Sequence, residues 1–136
     1  MHEQIKSMLS GFNFSPGASL ELLRQAQTTL GISLPEDYVQ FMLFSNGAGG
    51  HIGSRDLIIY PLEEVLADRE DSVRYGVPTK LVIFGSDGGT WGYAFDSRTD
   101  PVSIVGVDPI SMEFINEPEI LGTTFLEFLE SLRKRG

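Results

Sequence analysis

Up to residue 47 the apolar residues of the chain recur at helical spacing. Beyond it they gather into short runs bounded by turn residues, until a helical period returns at the end. In EQIKSMLSGF (3–12), Ile5, Met8, Leu9 and Phe12 fit a short helix, which FSPGAS breaks. In SLELLRQAQTTLG, Ser19 is a good N-cap because its hydroxyl accepts from an orphan N–H of the first turn. Leu20, Leu23, Ala26 and Leu30 then share a face, and Gly31 suits the left-handed stop. A further helix is predicted in SLPEDYVQFMLFSNG. Pro35 fits its first turn, Glu36 and Asp37 complement the positive end of its dipole, and Tyr38, Phe41, Met42 and Ser45 line one side before Asn46-Gly47 ends it.

The second half reads differently. DLIIY (56–60) predicts a strand, and PLEEVLADRE (61–70) a short helix opened by Pro61. KLVIFG (80–85), WGYAFD (91–96) and VSIVGV (102–107) are successive strands rich in β-branched and aromatic residues. In TTFLEFLESLRKRG, Phe125, Phe128, Leu129 and Leu132 follow the i, i+3, i+4, i+7 pattern. Thr124 with Glu127 makes a capping box there, and Arg133, Lys134 and Arg135 sit where the dipole favours cations. Strands joined by short turns are most simply antiparallel, so the order of elements predicts one α+β domain over residues 1–136. Helices at the N- and C-terminal ends would cover one face of a mainly antiparallel sheet.

Composition narrows the chemistry. The 136 residues are 41% hydrophobic and 21% charged, which suits a globular chain with one core. There is no cysteine, so disulfides, thiolate metal sites and a cysteine nucleophile are excluded together. No apolar run approaches signal-peptide or membrane-spanning length, and the expected location is the cytoplasm. The net charge of −9 argues against direct binding of nucleic acid, which needs cations to displace counterions, and favours a basic protein partner.

The stretch FGSDGGTWGYAFD (84–96) asks whether its glycines cradle a phosphate. A phosphate-binding P-loop needs a Lys followed by Ser or Thr after its glycines, and a dinucleotide fingerprint needs the glycines to open a helix; neither is present. The simpler reading is a tight strand connection in which Asp87-Gly88-Gly89 supplies positive φ angles, with Gly92 marking a bulge or a close backbone approach. Asp96 to Pro101 reads as a second turn, with Asp96 bonding its own backbone; Asp96 and Asp100 as a metal pair are the less favoured alternative. His51, Ser54 and Asp56 contain the residue types of a catalytic triad, but no nucleophile-elbow motif surrounds Ser54. Trp91, Tyr93 and Phe95 alternate and therefore share one face of their strand, with Trp91 nearest the loop and the most exposed of the three.

Four of these segments carry a family resemblance, which implies a domain core at about 19–132. LPEDYVQFMLFSNGAGG (34–50) resembles the first signature block of the SUKH superfamily, the Smi/Knr-like domains, in Leu34, Pro35, Tyr38, Phe41, Asn46 and Gly47. LVIFGSDGGTWGYAFD (81–96) is similar to the second block in Phe84, Gly85, Gly89, Tyr93, Phe95 and Asp96, and VSIVGV with TTFLEFLESL is similar to the last strand and closing helix. The resemblance implies an α+β domain with a bent antiparallel sheet. It implies a non-catalytic protein-binding role, most often that of a bacterial immunity protein that binds and blocks a toxin such as a basic nuclease. The alternative is a general adaptor module. No cofactor, metal or catalytic residue comes with it.

Loop tips are the best candidates for partner contact, because connections carry function on a rigid scaffold. On exposure and charge these are Asp87, Thr90 and Trp91 in one loop, His51, Arg55 and Asp56 in another, and the acidic stretch Asp68, Glu70 and Asp71.

Overall fold

The computed structural model describes residues 2–135. Short helix α1 (Glu3–Met8) and a two-residue strand β1 (Asn13–Phe14) precede α2 (Leu20–Leu30) and α3 (Glu36–Phe44). Hairpin β2 (Ala48–Ile52) and β3 (Arg55–Ile59) leads to α4 (Leu62–Arg74), then β4 (Leu81–Ser86), β5 (Gly92–Asp96), β6 (Ser103–Val107), β7 (Glu119–Gly122) and α5 (Phe125–Arg135). The strands form one sheet in sequence order, antiparallel at every step. The α+β architecture with helices at both ends is therefore the observed one.

The sheet divides the apolar residues into two layers. Leu57, Ile59, Val82, Phe84, Tyr93, Phe95 and Ile104 face the helices and merge with Leu23, Tyr38, Phe41, Phe125 and Phe128 in the main core. On the opposite face Leu81, Ile83, Ala94, Val105 and Val107 are buried as well, under Val77 and Ile115 from the segments after α4 and before β7. Burial on both faces explains why β4, β5 and β6 read as continuous apolar runs and not as alternations. Each large side chain fully removed from water there contributes on the order of 1.5–3 kcal/mol.

Aromatic rings organise the main core. Phe84 stacks on Phe95 with centroids 4.3 Å apart, Tyr38 meets Phe95 edge-on at 4.8 Å, and Phe128 lies edge-on to Tyr93 at 5.0 Å. The Tyr38 hydroxyl is buried with no hydrogen-bond partner among the described residues, and burial pushes its pKa up.

Two polar side chains of the α3 region tie helix ends across the fold. The Asp37 carboxylate accepts from the N–H groups of Phe125 and Leu126, both at 2.9 Å, and so caps α5 from a distant part of the chain. Asn46 does the same for α4: its Oδ1 accepts from Leu62 N at 2.9 Å, while its Nδ2 donates to Glu63 at 2.7 Å. Asn46 therefore does more than end α3. Pro35 precedes α3 as its N-cap residue and is not inside the first turn, and Leu20 is 50% exposed, so the buried stripe of α2 is Leu23, Ala26 and Leu30.

The expected capping box of α5 forms with a shift. Thr124 Oγ1 accepts from Glu127 N at 3.0 Å, but the Glu127 carboxylate accepts from Thr123 N and Thr123 Oγ1, one residue earlier than the standard pattern. The bulge expected at Gly92 lies instead in β4, where Ile83 pairs with Ala94 and Gly85 with Tyr93, leaving Phe84 as the extra residue. Gly92 pairs regularly with Ser86 and Val107. Close approach belongs to Gly85, where a Cβ would stand 2.6 Å from the Ile58 carbonyl oxygen, and to Gly106, where it would meet the Trp91 ring at 2.6 Å.

Candidate functional site

The glycine loop is a strand connection. Asp87 N donates to Trp91 O at 3.1 Å, Asp87 Oδ1 accepts from Gly89 N at 2.9 Å, and Ser86 Oγ accepts from Gly88 N at 3.2 Å. Gly88 takes the positive φ of 86°; Gly89 does not need one. The donors that a phosphate would use are thus satisfied within the turn.

Asp96 is buried, and its carboxylate is spent on the turn that follows β5. Its Oδ1 accepts from Arg98 N at 3.0 Å and from Arg98 Nε at 2.9 Å, while Oδ2 accepts from Arg98 Nη2 at 3.0 Å. The same guanidinium donates to Ile115 O at 2.7 Å, which fixes the start of the β7 approach. A bidentate Arg–carboxylate pair of this kind positions two loops, and the Asp96 carboxylate is engaged by Arg98 in place of a metal. Among the described residues no group of three or more His, Asp or Glu side chains is arranged to hold a metal ion.

Two of the three predicted contact regions come together. His51 and Asp56 face each other across the β2–β3 hairpin, with His51 Nδ1 2.6 Å from Asp56 Oδ1. Both side chains are open to water, 78% and 58% accessible, so this pair is screened and adds little to stability. A Cβ placed on Gly88 would lie 3.8 Å from Asp56 and 3.9 Å from Ile58, which puts the two hairpin tips side by side. The buried Tyr93 hydroxyl lies beneath them. Burial raises its pKa, the Asp87 carboxylate raises it further, and Arg55 and Arg135 oppose both. Arg55 and Asp87, from different hairpins, thus both act electrostatically on the Tyr93 hydroxyl. Thr90 is exposed at the tip.

The third region is placed elsewhere. Asp68, Glu70 and Asp71 lie on α4, which packs against α2 and β4. Burial raises the pKa of Asp68, and Asp71 adds to the effect; Arg74 Nη1 stands 3.6 Å from Asp71. Near this helix a cleft of about 670 Å³ opens between the end of α2 and the β5–β6 turn. Arg69 and Lys80 flank it with Asp100 among its walls, but Arg69 is already bonded to Thr29 O, Ser97 to Lys80 O and Thr99 to Pro101 O.

One segment at the hairpin end has a misleading signal in the sequence. Trp91 is half-buried, its ring laid over Gly106, and it meets Phe114 edge-on at 5.3 Å. Phe114 belongs to the β6–β7 connection, DPISMEFINEP (108–118), where Ile110, Met112 and Phe114 alternate with Ser111 and Glu113 at strand-like spacing although the segment forms turns and no strand. Asp108 shapes it: Oδ1 accepts from Ile110 N at 3.0 Å and Ser111 N at 3.1 Å, and Asp108 N donates to Glu113 O at 3.1 Å. These bonds hold the Asp108 carboxyl below its usual pKa. The Asp-Pro start and the apolar residues set singly among acids are the only hints.

An antiparallel sheet with helices on one face, whose motif residues are spent on caps, turns and ring packing, defines a scaffold that presents loops. The model of the SMI1 / KNR4 family (SUKH-1) matches residues 17–131, and the chain belongs to that family. No curated protein matches the chain.

Proposed function

We propose that this protein is a non-catalytic binding domain that neutralises a toxin, as an immunity protein does, by direct contact with a basic surface of its target. The observation that carries the reading is the convergence of the β2–β3 and β4–β5 tips, with Asp56 and Asp87 on a chain of net charge −9. Family membership supports a role in protein–protein interaction. The residues that mark the family are engaged in holding the fold: Asn46 caps α4, Tyr38 and Phe41 are buried, and Asp96 holds Arg98. An acidic surface speeds encounter with a basic partner and makes the rate fall with salt.

The test is capture from host lysate by the tagged protein at low salt, elution at high salt, and mass spectrometry. The toxic activity of what is recovered is then assayed with and without this protein. A basic protein whose activity is abolished at stoichiometric addition supports the reading. Recovery of housekeeping proteins alone would move the assignment to a general adaptor module, and affinity independent of salt would remove its electrostatic part.

A further inference from the structure

The β6–β7 connection displays apolar side chains at a backbone cost. Ile110 is 76% exposed and Phe114 48% exposed, where burial in either core layer would have contributed stability. Met112 and Phe114 both adopt left-handed φ angles, 65° and 67°, and neither is glycine. Side chains crowd the backbone in such a conformation, and it persists here because Asp108 ties both ends of the turn. Met112 and Ile115 of this connection cover the second core layer, whereas the strain at Phe114 and the exposure of Ile110 and Phe114 mark these two residues as shaped for contact.

The surroundings define what fits. Pro109 packs beside Gly92, and Phe114 against Trp91, so the segment adjoins the β4–β5 tip. Asp87 is bonded through its backbone to Trp91, Asp108 and Glu113 close the turn that carries Ile110, and Asp56 stands beside Gly88. Two cations, Arg55 and Arg135, act electrostatically on the Tyr93 hydroxyl from this side, and Arg135 is paired with Glu119. We propose that Ile110, Phe114 and Trp91, rimmed by Asp87, Asp108 and Glu113, form the docking surface for a protein that presents an apolar anchor within a basic surface. The proposal rests on the reading above that the chain acts by binding a protein, and it names the surface and the chemistry of the partner. Aromatic residues at the centre with charges at the rim follow the usual division of an interface into an anchor and a water-excluding border. The acidic face of α4 lacks this combination, because its large exposed apolar residues, Val73 and Tyr75, lie at its end and Arg74 sits beside Asp71.

The probe is a short synthetic peptide of alternating lysine and leucine with one tryptophan, titrated into the ¹⁵N-labelled full chain and followed by amide chemical shifts. The expected perturbations cluster at residues 87–92 and 108–114. Ile110→Ser combined with Phe114→Ser is expected to weaken binding at least about tenfold, while Ile120→Ser, at an equally exposed position on β7, stays within about twofold. A lysine–serine peptide is expected to bind far more weakly than the lysine–leucine one. Perturbations centred on Asp68–Asp71 of α4, equal binding of the two peptides, or no binding at millimolar peptide would each overturn the proposal. Thermal melts of the variants confirm that they fold. If the peptide maps to this surface while no toxin is captured, the surface stands and the immunity reading fails. If a toxin is captured while the peptide maps elsewhere, the immunity reading stands and the surface fails.

Discussion

The two ends of the Trp91–Tyr93–Phe95 row meet different surroundings. Phe95 is sealed in a cluster with Tyr38 and Phe84, fully buried and framed by helices whose ends Asp37 and Asn46 cap. Trp91 lies at the rim, half-buried over Gly106 at the margin of the main core, with the strained β6–β7 connection on its outer side. One end of the strand spends its aromatic residues on the fold and the other offers them to solvent. The core and the proposed docking surface thus lie at opposite ends of a single strand, and mutations are expected to sort by which end they touch.

The largest effect is expected from Phe128→Ala. This ring touches Phe84, Tyr93 and Phe125, and its loss leaves a cavity in the main core; denaturant unfolding should show a loss of about 3–5 kcal/mol. Asp37→Ala removes the acceptor for two N–H groups of α5. The expected loss is about 1–2 kcal/mol, and Asp37→Asn should retain part of it, since its amide oxygen can still accept. Tyr38→Phe cuts the other way. The hydroxyl is buried without a partner, so the variant is expected to be neutral or more stable by up to about 1 kcal/mol, although Tyr38 lies in the family's first signature block. At the rim, Ile110→Ser with Phe114→Ser should change stability by no more than about 0.5 kcal/mol.

The smallest effect is that of pH. Hydrogen bonds hold Glu63, Asp108 and Glu127 below their usual pKa values: Asn46 acts on Glu63, the Ser111 and Ile110 amides on Asp108, and Thr123 on Glu127. A carboxyl whose pKa is lower folded than unfolded stabilises the fold above its unfolded value. That contribution disappears as pH falls through the folded value. Melting temperature should therefore hold from neutrality down to the ordinary carboxylate range and decline below it. Glu127→Gln is expected to flatten the decline.

The helical stripes of α2 and α5 are legible because an amphipathic helix writes its buried face as a period, and Leu23, Ala26 and Leu30, or Phe125, Phe128 and Leu132, carry it. Strands β4 to β6 are legible as β-rich runs. Strand β2 is not: AGGHI is poor in β-formers and is held by pairing with β3 on one side and by the Phe12 ring against Gly50. Strand β7 is hidden for a similar reason, four residues placed by pairing to β6 and by packing of α5. The tertiary caps leave no local pattern, since Asp37 and Phe125 are neighbours only in space. Of the predicted contact residues, His51, Arg55, Asp56, Asp87, Thr90 and Trp91 share one end of the fold, while Asp68, Glu70 and Asp71 lie apart on α4 and share only an acidic charge with Asp56 and Asp87. For Ile110 and Phe114 the sequence misleads, because their alternation with Ser111 and Glu113 has the spacing of a half-buried strand, whereas their exposure is a property of packing.

The most direct measurement is a titration of the captured basic partner with the wild-type protein and with the Ile110→Ser/Phe114→Ser variant, each alongside its melting curve. The account predicts that the variant melts with the wild type and binds at least about tenfold more weakly. A variant that binds as tightly as the wild type, or one whose binding falls only in step with its stability, would contradict the division between a rim that recognises and a core that holds.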